Sequence, residues 1–373
     1  MKQTNWAADN TSFVEKDFYA WLKGFDDHPQ AVDVRNPRTG RVSTVVKRDY
    51  KELLPLVRHK REPTHPDVLR LLSRDRDVHL TLDAGLQVMT ARALGRHAES
   101  AGSGRGAAVV LDAKSGELLA SASYPWPFDF AQARPDERAS TADEQSLAAA
   151  QPLLDRARYG LYPPGSTFKL VTAVAALRAD PAEQQSMFQC VRLPDGRVGG
   201  RVRGVSRPIR DDSLDHVPHG KVDLHKALVM SCNPYFAQLA QRIGPNALEE
   251  TASTAQIAVA ARPVLDNLPR TLPQAGYGQG DVVASPLRMA GVVAALASNG
   301  ELRDVRVATR PVAGPLPSVR WISPEGAAKM RGYMREVVTV GTGRMLAGHS
   351  PAIAGKTGTA QVDNAKSHAW FVG

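Results

Sequence analysis

Apolar positions recur along the chain in two periods, and the change from one to the other marks out its elements. "HLTL", residues 79–82, alternates as a strand does. Asp83 follows as an N-cap, and Leu86, Met89 and Leu94 form a helical stripe behind it. "GAAVVLDAKSGELLASASYP" has two apolar runs around "AKSG", which predicts a hairpin. "KVDLHKALVM" predicts a helix that ends at "SCNPYFAQLAQRIG", where Pro234 suits the first position of another. "SPLRMAGVVAALASNG" predicts a helix with Ser285 as N-cap, Pro286 in the first turn and Gly300 as C-cap. "AIAGKTGTAQV" and "HAWFVG" predict two strands. A hairpin, then helices, then strands implies a mixed sheet covered by helices. Residues 1–79, Pro125 to Thr141 and Leu193 to Pro218 show no sustained period and are expected to be loop-rich.

One element breaks its own pattern. "PPGSTFKLVTAVAAL", residues 163–177, predicts a helix from Ser166 that buries most of its surface, yet its first turn carries Lys169. Positions i and i+3 share a helix face, so Ser166 and Lys169 meet. The helix N-terminus favours negative charge beside Ser166. Burial disfavours the ammonium form of Lys169 and lowers its pKa. A neutral amine beside a hydroxyl is a general base beside a nucleophile. A capping serine with a surface lysine is the plainer alternative, because the four-residue pattern is common.

Two further stretches could join this pair. Ser231 and Asn233 of "SCN" lie two apart on a turn between helices and can point into one cleft; a simple cap ahead of Pro234 is the alternative. "GKTGT", Gly355 to Thr359, invites comparison with a phosphate-binding loop. That loop needs a glycine five places before Gly355, where Ser350 stands. On a strand edge, Gly358 instead lets a substrate backbone approach, and Lys356 puts a fixed positive charge in the cleft.

Composition narrows the class. The 373 residues are 43% hydrophobic and 23% charged, enough for one large domain and a smaller one. No apolar run is long enough to span a membrane, and "MKQTNWAADN" has no signal-peptide core, so if the protein works outside the cytoplasm its anchor or export signal is expected outside this chain. The net charge of +9 gathers between Arg35 and Arg76, with 12 Lys and Arg against 5 Asp and Glu. Only Tyr50 is aromatic there, so a solvated basic face is expected, with attraction to an anionic envelope surface as the alternative, and not a nucleic-acid surface. Cys190 and Cys232 form no framework and are expected to be free. The ten histidines show no HxxxH or HExxH spacing, so no metal or other cofactor is expected.

Taken in order, Ser166-x-x-Lys169, Ser231-x-Asn233 and Lys356-Thr357-Gly358 resemble the motif trio of the penicillin-binding proteins. Their surroundings match as well, from "LTLDAGLQ" to "HAWFVG", over about residues 79–373. The chain looks most similar to class B transpeptidase domains. The resemblance implies a mixed α/β (α+β) fold: a central, mainly antiparallel sheet flanked by helices, an all-helical subdomain, and residues 1–79 as a short N-terminal extension. It implies a serine D,D-transpeptidase, in which Ser166 is acylated by the penultimate D-alanine of a peptidoglycan stem peptide and Lys169 is its base. Ser231 would relay the proton to the leaving D-alanine, and Asn233 would hold Lys169 and the substrate amide. Lys356 would set the local field, with Thr357 and Thr359 on the terminal carboxylate and Gly358 admitting the substrate backbone. The N–H groups of Ser166 and Thr359 would form the oxyanion hole. Implied partners are D-Ala-D-Ala stem peptides, β-lactams and a membrane glycan polymerase of elongation or division, in an extracytoplasmic setting. The family continues beyond "HAWFVG" with a strand and a helix, so a bare sheet edge is expected here. A β-lactamase, a β-lactam sensor and a catalytically silent scaffold are the alternatives. The first is disfavoured by the absence of an ExxLN pattern.

Overall fold

The computed structural model describes residue 14 and residues 17–126, 154–310, 316–362 and 366–373. The chain divides into two compact units, Met1–Thr81 with Val307–Pro315, and Leu82–Arg306 with Leu316–Gly373.

In the first unit, strands Gln30–Arg35 and Val42–Lys47 form an antiparallel hairpin. "NPRTG" makes its turn, where Asn36 Oδ1 accepts the N–H groups of Arg38 and Thr39. Pro66 opens the short helix Pro66–Leu72, and the ring of His65 caps it. The basic residues here are mostly exposed, and several pair with acids: Arg48 and Lys23 with Asp27, Arg74 with Glu52. Strand His79–Leu80 pairs with Ala308–Arg310.

The second unit mixes helices with antiparallel ladders, the class expected. Helix Ala84–Ser100 begins where Asp83 accepts the Leu86 N–H at 2.8 Å. Strands Gly106–Leu111 and Leu118–Tyr124 form the expected hairpin, with Asp112 organising the turn through Lys114 and Ser115. Strands Lys356–Ala360 and His368–Val372 form a second hairpin. Among the described residues the two hairpins share no ladder, but both pack on helix Pro286–Ala297.

The core lies among helices Lys169–Ala179, Asn233–Thr254, Val264–Ala275 and Pro324–Thr339. Residues 169–177 are all buried. Each fully buried Leu or Val there contributes about 1.5–3 kcal/mol, so the helix tolerates one lysine among them. The Asn233–Thr254 helix breaks at Gly244, whose φ of +82° ends one segment before Pro245 begins the next.

Three expectations need correction. The Pro286–Ala297 helix is capped by Ser285 as expected, but it stops at Ser298; Gly300 lies beyond, and its N–H reaches the Ala295 carbonyl. "KVDLHKALVM" starts as strand Gly220–Val222 and turns helical only at Leu224, after Asp223 caps the helix. Leu193 to Pro218 is not simply loop. It belongs to a four-stranded antiparallel sheet ordered Ile209–Arg210, Val198–Gly200, Phe188–Arg192, Gly220–Val222. Its strands are two to five residues long, too short to carry a readable period. The loop expected from Pro125 to Thr141 falls almost wholly outside the described residues.

Candidate active site

The segment around Ser166 starts as a 3-10 turn, Gly165–Phe168, and becomes α-helical at Lys169. The α-helix expected to begin at Ser166 therefore starts three residues later. The 3-10 geometry, three residues per turn, stacks positions i and i+3 directly. Lys169 Nζ lies 3.0 Å from Ser166 Oγ.

Backbone packing fixes this turn. Gly165 has φ +53° and donates its N–H to the Gly278 carbonyl at 3.0 Å. A Cβ on Gly165 would sit 2.5 Å from the Thr359 carbonyl oxygen, and one on Gly358 would sit 2.8 Å from Thr167 Cγ2. Strand Lys356–Ala360 thus lies against the serine turn, with Thr167 packed directly on Gly358. Trp370 of the neighbouring strand donates its indole N–H to the Pro163 carbonyl at 3.0 Å.

The turn between helices Leu224–Val229 and Asn233–Thr254 supplies the third wall. Ser231 has φ +60°, a conformation L residues rarely adopt. It is held by its own N–H on the Leu228 carbonyl and by the Cys232 N–H on the Ala227 carbonyl. Such strain persists only where the surroundings over-determine it.

Lys169 is completely buried, with its nitrogen at the meeting point. Besides Ser166 Oγ, Nζ lies 3.1 Å from Ser231 Oγ, 2.6 Å from Asn233 Oδ1 and 2.5 Å from the Ser231 carbonyl oxygen. The Asn233 orientation is fixed because its Nδ2 donates to the Arg210 carbonyl at 2.9 Å. Asn233 Oδ1 and the Ser231 carbonyl can only accept, whereas the two hydroxyls can donate. A neutral amine satisfies this set: its two N–H bonds go to the two carbonyl-type acceptors, and its lone pair faces the Ser166 hydroxyl. Burial pushes the Lys169 pKa down to about 8, against the pull of the Asp211 carboxylate.

Lys356 is buried too, and its Nζ lies 2.9 Å from both Ser231 Oγ and the Thr357 carbonyl. Its pKa lies well below the usual lysine range, first through burial and then through the charge of Lys169. A fixed positive charge at Lys356, expected from sequence, is thus opposed by its surroundings. Both lysines reach one hydroxyl, that of Ser231, so a proton can pass along Lys169, Ser231 and Lys356.

The three motifs therefore meet in one place: Ser166, Lys169, Ser231, Asn233 and Lys356 by direct contact. Thr357, Gly358 and Thr359 line a cleft of about 880 Å³ with Ser166, Ser231 and Asn233. Thr357 Oγ1 lies 2.6 Å from Thr342 Oγ1. Two contributors escaped the sequence reading. Asp211 accepts the Asn233 N–H through Oδ1 at 2.5 Å, and the Gly276–Gly278 stretch buttresses the serine turn, its Gly276 carbonyl accepting from Thr172 Oγ1. The glycines of "GYGQG" were the only available signal for the latter.

Residues 106–373 match the penicillin binding protein transpeptidase domain family. The chain is 30% identical over 364 residues to peptidoglycan D,D-transpeptidase MrdA of Acinetobacter baumannii, covering 85% of this chain and 50% of that protein. It thus spans about half the length of that relative. A solved structure of penicillin-binding protein A from Mycobacterium tuberculosis, a ceftriaxone acyl-enzyme complex, superposes with a TM-score of 0.64 at 25% identity, covering 91% of this chain and 86% of that one. A structure described as structural coordination of polymerization and crosslinking by a peptidoglycan synthase complex matches at TM-score 0.62 and 26% identity, over 79% of this chain and 55% of its own.

Proposed function

The chain belongs to the penicillin-binding protein transpeptidase family, and from that premise we propose that it is a serine D,D-transpeptidase that cross-links peptidoglycan stem peptides through an acyl-enzyme on Ser166. The observation that carries this is the buried Lys169 nitrogen, within 3.1 Å of Ser166 Oγ, Ser231 Oγ and Asn233 Oδ1.

The Ser166 hydroxyl gives its proton to the neutral Lys169 amine as Oγ attacks the carbonyl carbon of the penultimate D-alanine. The developing oxyanion is received by the N–H groups of Ser166 and Thr359, where one such donor is typically worth about 2.7–4 kcal/mol. Collapse breaks the peptide bond to the terminal D-alanine. Its nitrogen takes a proton from Ser231 Oγ, which is resupplied by Lys169 or Lys356. An acceptor amine then attacks the ester, Lys169 again taking and returning the proton, and Ser166 is released. Thr357 and Thr359 receive the terminal carboxylate, Gly358 admits the donor backbone beside the strand, and Asn233 keeps Lys169 and the substrate amide in place. A β-lactam follows the first half of this route and stops at the ester.

The setting is extracytoplasmic, where peptidoglycan is assembled. The partner is a membrane glycan polymerase, a reading supported by the likeness to the peptidoglycan synthase complex. Among the described residues no helix is long and apolar enough to cross a membrane. The test is turnover of a D-Ala-D-Ala-type thioester with an added amine acceptor. The wild-type chain should release the thiol and form the amide product, and Ser166→Ala should do neither. Turnover unchanged in Ser166→Ala overturns the assignment.

A further inference from the structure

Among the described residues, four arginines line the cleft that holds Ser166: Arg197, Arg207, Arg210 and Arg344. They are not equally engaged. Arg210 pairs with Asp195, and Arg197 donates to the Asp211 carbonyl at 3.3 Å. The guanidinium groups of Arg207 and Arg344 make no ion pair or hydrogen bond among the described residues, not even with the cleft's carboxylates at Asp211, Asp212 and Asp215. Of these two free cations, Arg344 stands beside the substrate-binding strand. It opens the 3-10 turn Arg344–Leu346, two residues after Thr342, so the two Cα atoms are at most about 7 Å apart. Thr342 Oγ1 in turn lies 2.6 Å from Thr357 Oγ1. The loop between them is fixed from behind. The Gly341 N–H bonds to the Glu336 carbonyl at 2.9 Å and the Gly343 N–H to the Val337 carbonyl at 2.8 Å. A Cβ on Gly341 would sit 2.5 Å from the Val229 carbonyl oxygen, so the loop is also packed on the helix that leads to Ser231.

This end of the cleft lacks a cation for the anion it is read to receive. Thr357 and Thr359 offer a carboxylate hydroxyl groups and no charge. Lys356 is adjacent in sequence, but its Nζ is turned to Ser231 Oγ and the Thr357 carbonyl, both 2.9 Å away. Burial and the charge of Lys169 also oppose its ammonium form. A guanidinium is the complementary group, because it stays charged and presents paired N–H donors in the geometry of a carboxylate.

We propose that Arg344 is a specificity residue of this cleft: beside the Thr342–Thr357 hydroxyl pair, it binds the free C-terminal carboxylate of the donor peptide and so selects donors that end in one. The inference rests on the transpeptidase reading and deepens it. The carboxylate of a penicillin takes the same place. Thr342 acts at one remove, as a positioning residue. When its hydroxyl donates to Thr357 Oγ1, the Thr357 proton is left for the carboxylate. The sequence reading stopped at the Lys356–Thr359 motif, and Arg344 stands 12 residues before Lys356, on a different element.

The test compares acylation of the full chain by benzylpenicillin and by its methyl ester, which differ only in the carboxylate. The wild-type chain should prefer the free acid. Arg344→Gln should slow acylation by the acid about 10- to 100-fold, the usual worth of a hydrogen bond to a charged group, and slow the ester far less, so that the preference narrows about tenfold or more. Arg344→Lys should fall between, since it keeps the charge and loses the paired donors. Each preference is a ratio taken on one sample, so a partly unfolded variant lowers both rates together and leaves the ratio readable. A wild-type chain that acylates with acid and ester equally fast overturns the inference. So does the same ratio in wild type, Arg344→Gln and Arg344→Lys. A wild-type chain that neither compound acylates is a different failure: it removes the transpeptidase reading itself, and this inference with it.

Discussion

Residues 165–179 and residues 188–222 line the same cleft, and they are built in opposite ways. The first is one continuous element: a 3-10 turn running into a helix whose interior is wholly buried. Its chemistry is local, Ser166 and Lys169 being one turn apart. The second is four short strands joined by loops, and what it contributes comes from far away in sequence. The Arg210 carbonyl fixes the Asn233 amide, and Asp211 fixes the Asn233 backbone. Local chemistry is set by neighbours one helical turn apart, Lys169 Nζ reaching Ser166 Oγ at 3.0 Å. Positioning chemistry needs a tertiary frame, and the frame leaves little trace in the sequence.

The largest effect should come from the local side. In Lys169→Arg the guanidinium stays protonated and cannot take the Ser166 proton. Acylation by penicillin should slow about 10²- to 10⁴-fold, the usual worth of a positioned base. Stopped-flow acylation measures it, and a near-normal rate would place the base elsewhere. The same group sets the pH dependence. In the proposed mechanism the active form is the neutral amine, and burial brings the Lys169 pKa down to about 8. Below that value the ammonium dominates, so the acylation rate constant should climb about tenfold per pH unit and level off above about 8. A flat profile from pH 6 to 10 would contradict the neutral-amine assignment.

The next effect tests the frame. Gly278 has φ +77°, and a Cβ there would sit 2.1 Å from the Gly165 carbonyl oxygen. Gly278→Ala should cost about 1–3 kcal/mol through backbone strain alone, and it should slow acylation because the serine turn must move. Thermal unfolding and acylation are read on the same sample. Loss of stability without loss of rate would show that the turn holds its geometry independently.

The smallest effect separates the small sheet's surface from its interior. Asp195 pairs with Arg210 at 2.7 Å, but both side chains are well exposed. Exposed pairs of this kind contribute little. Asp195→Asn should leave both the thermal midpoint and the acylation rate unchanged. A clear loss in either would mean that the Arg210 carbonyl, and with it Asn233, is held from the surface.

This contrast also explains what could be read from sequence. The N-caps Asp83 and Ser285, the Asp112 turn and the Ser166–Lys169 pair are dictated by neighbours within a few residues, and each is where the pattern puts it. The trio of motifs was legible because chemistry restricts the residue types. Strand Gly220–Val222 and its three partners were not, because strands of two to five residues are stabilised by pairing and not by their own period. The early end of the Pro286–Ala297 helix went unread for a related reason. Gly300 does adopt a positive φ, yet Asn299 before it already turns left-handed at +56° and ends the helix, leaving the Gly300 N–H on the Ala295 carbonyl. The shift at Lys356 needed the fold as well, since only burial beside Lys169 reveals the pressure toward its neutral form.

The central claim is that Ser166, activated by Lys169, forms the covalent bond. Peptide mapping by mass spectrometry after incubation with a penicillin tests it most directly. The account predicts one penicilloyl adduct per chain, on the peptide carrying Ser166, and none in Ser166→Ala. An adduct on any other residue, or a labelled Ser166→Ala chain, would contradict it.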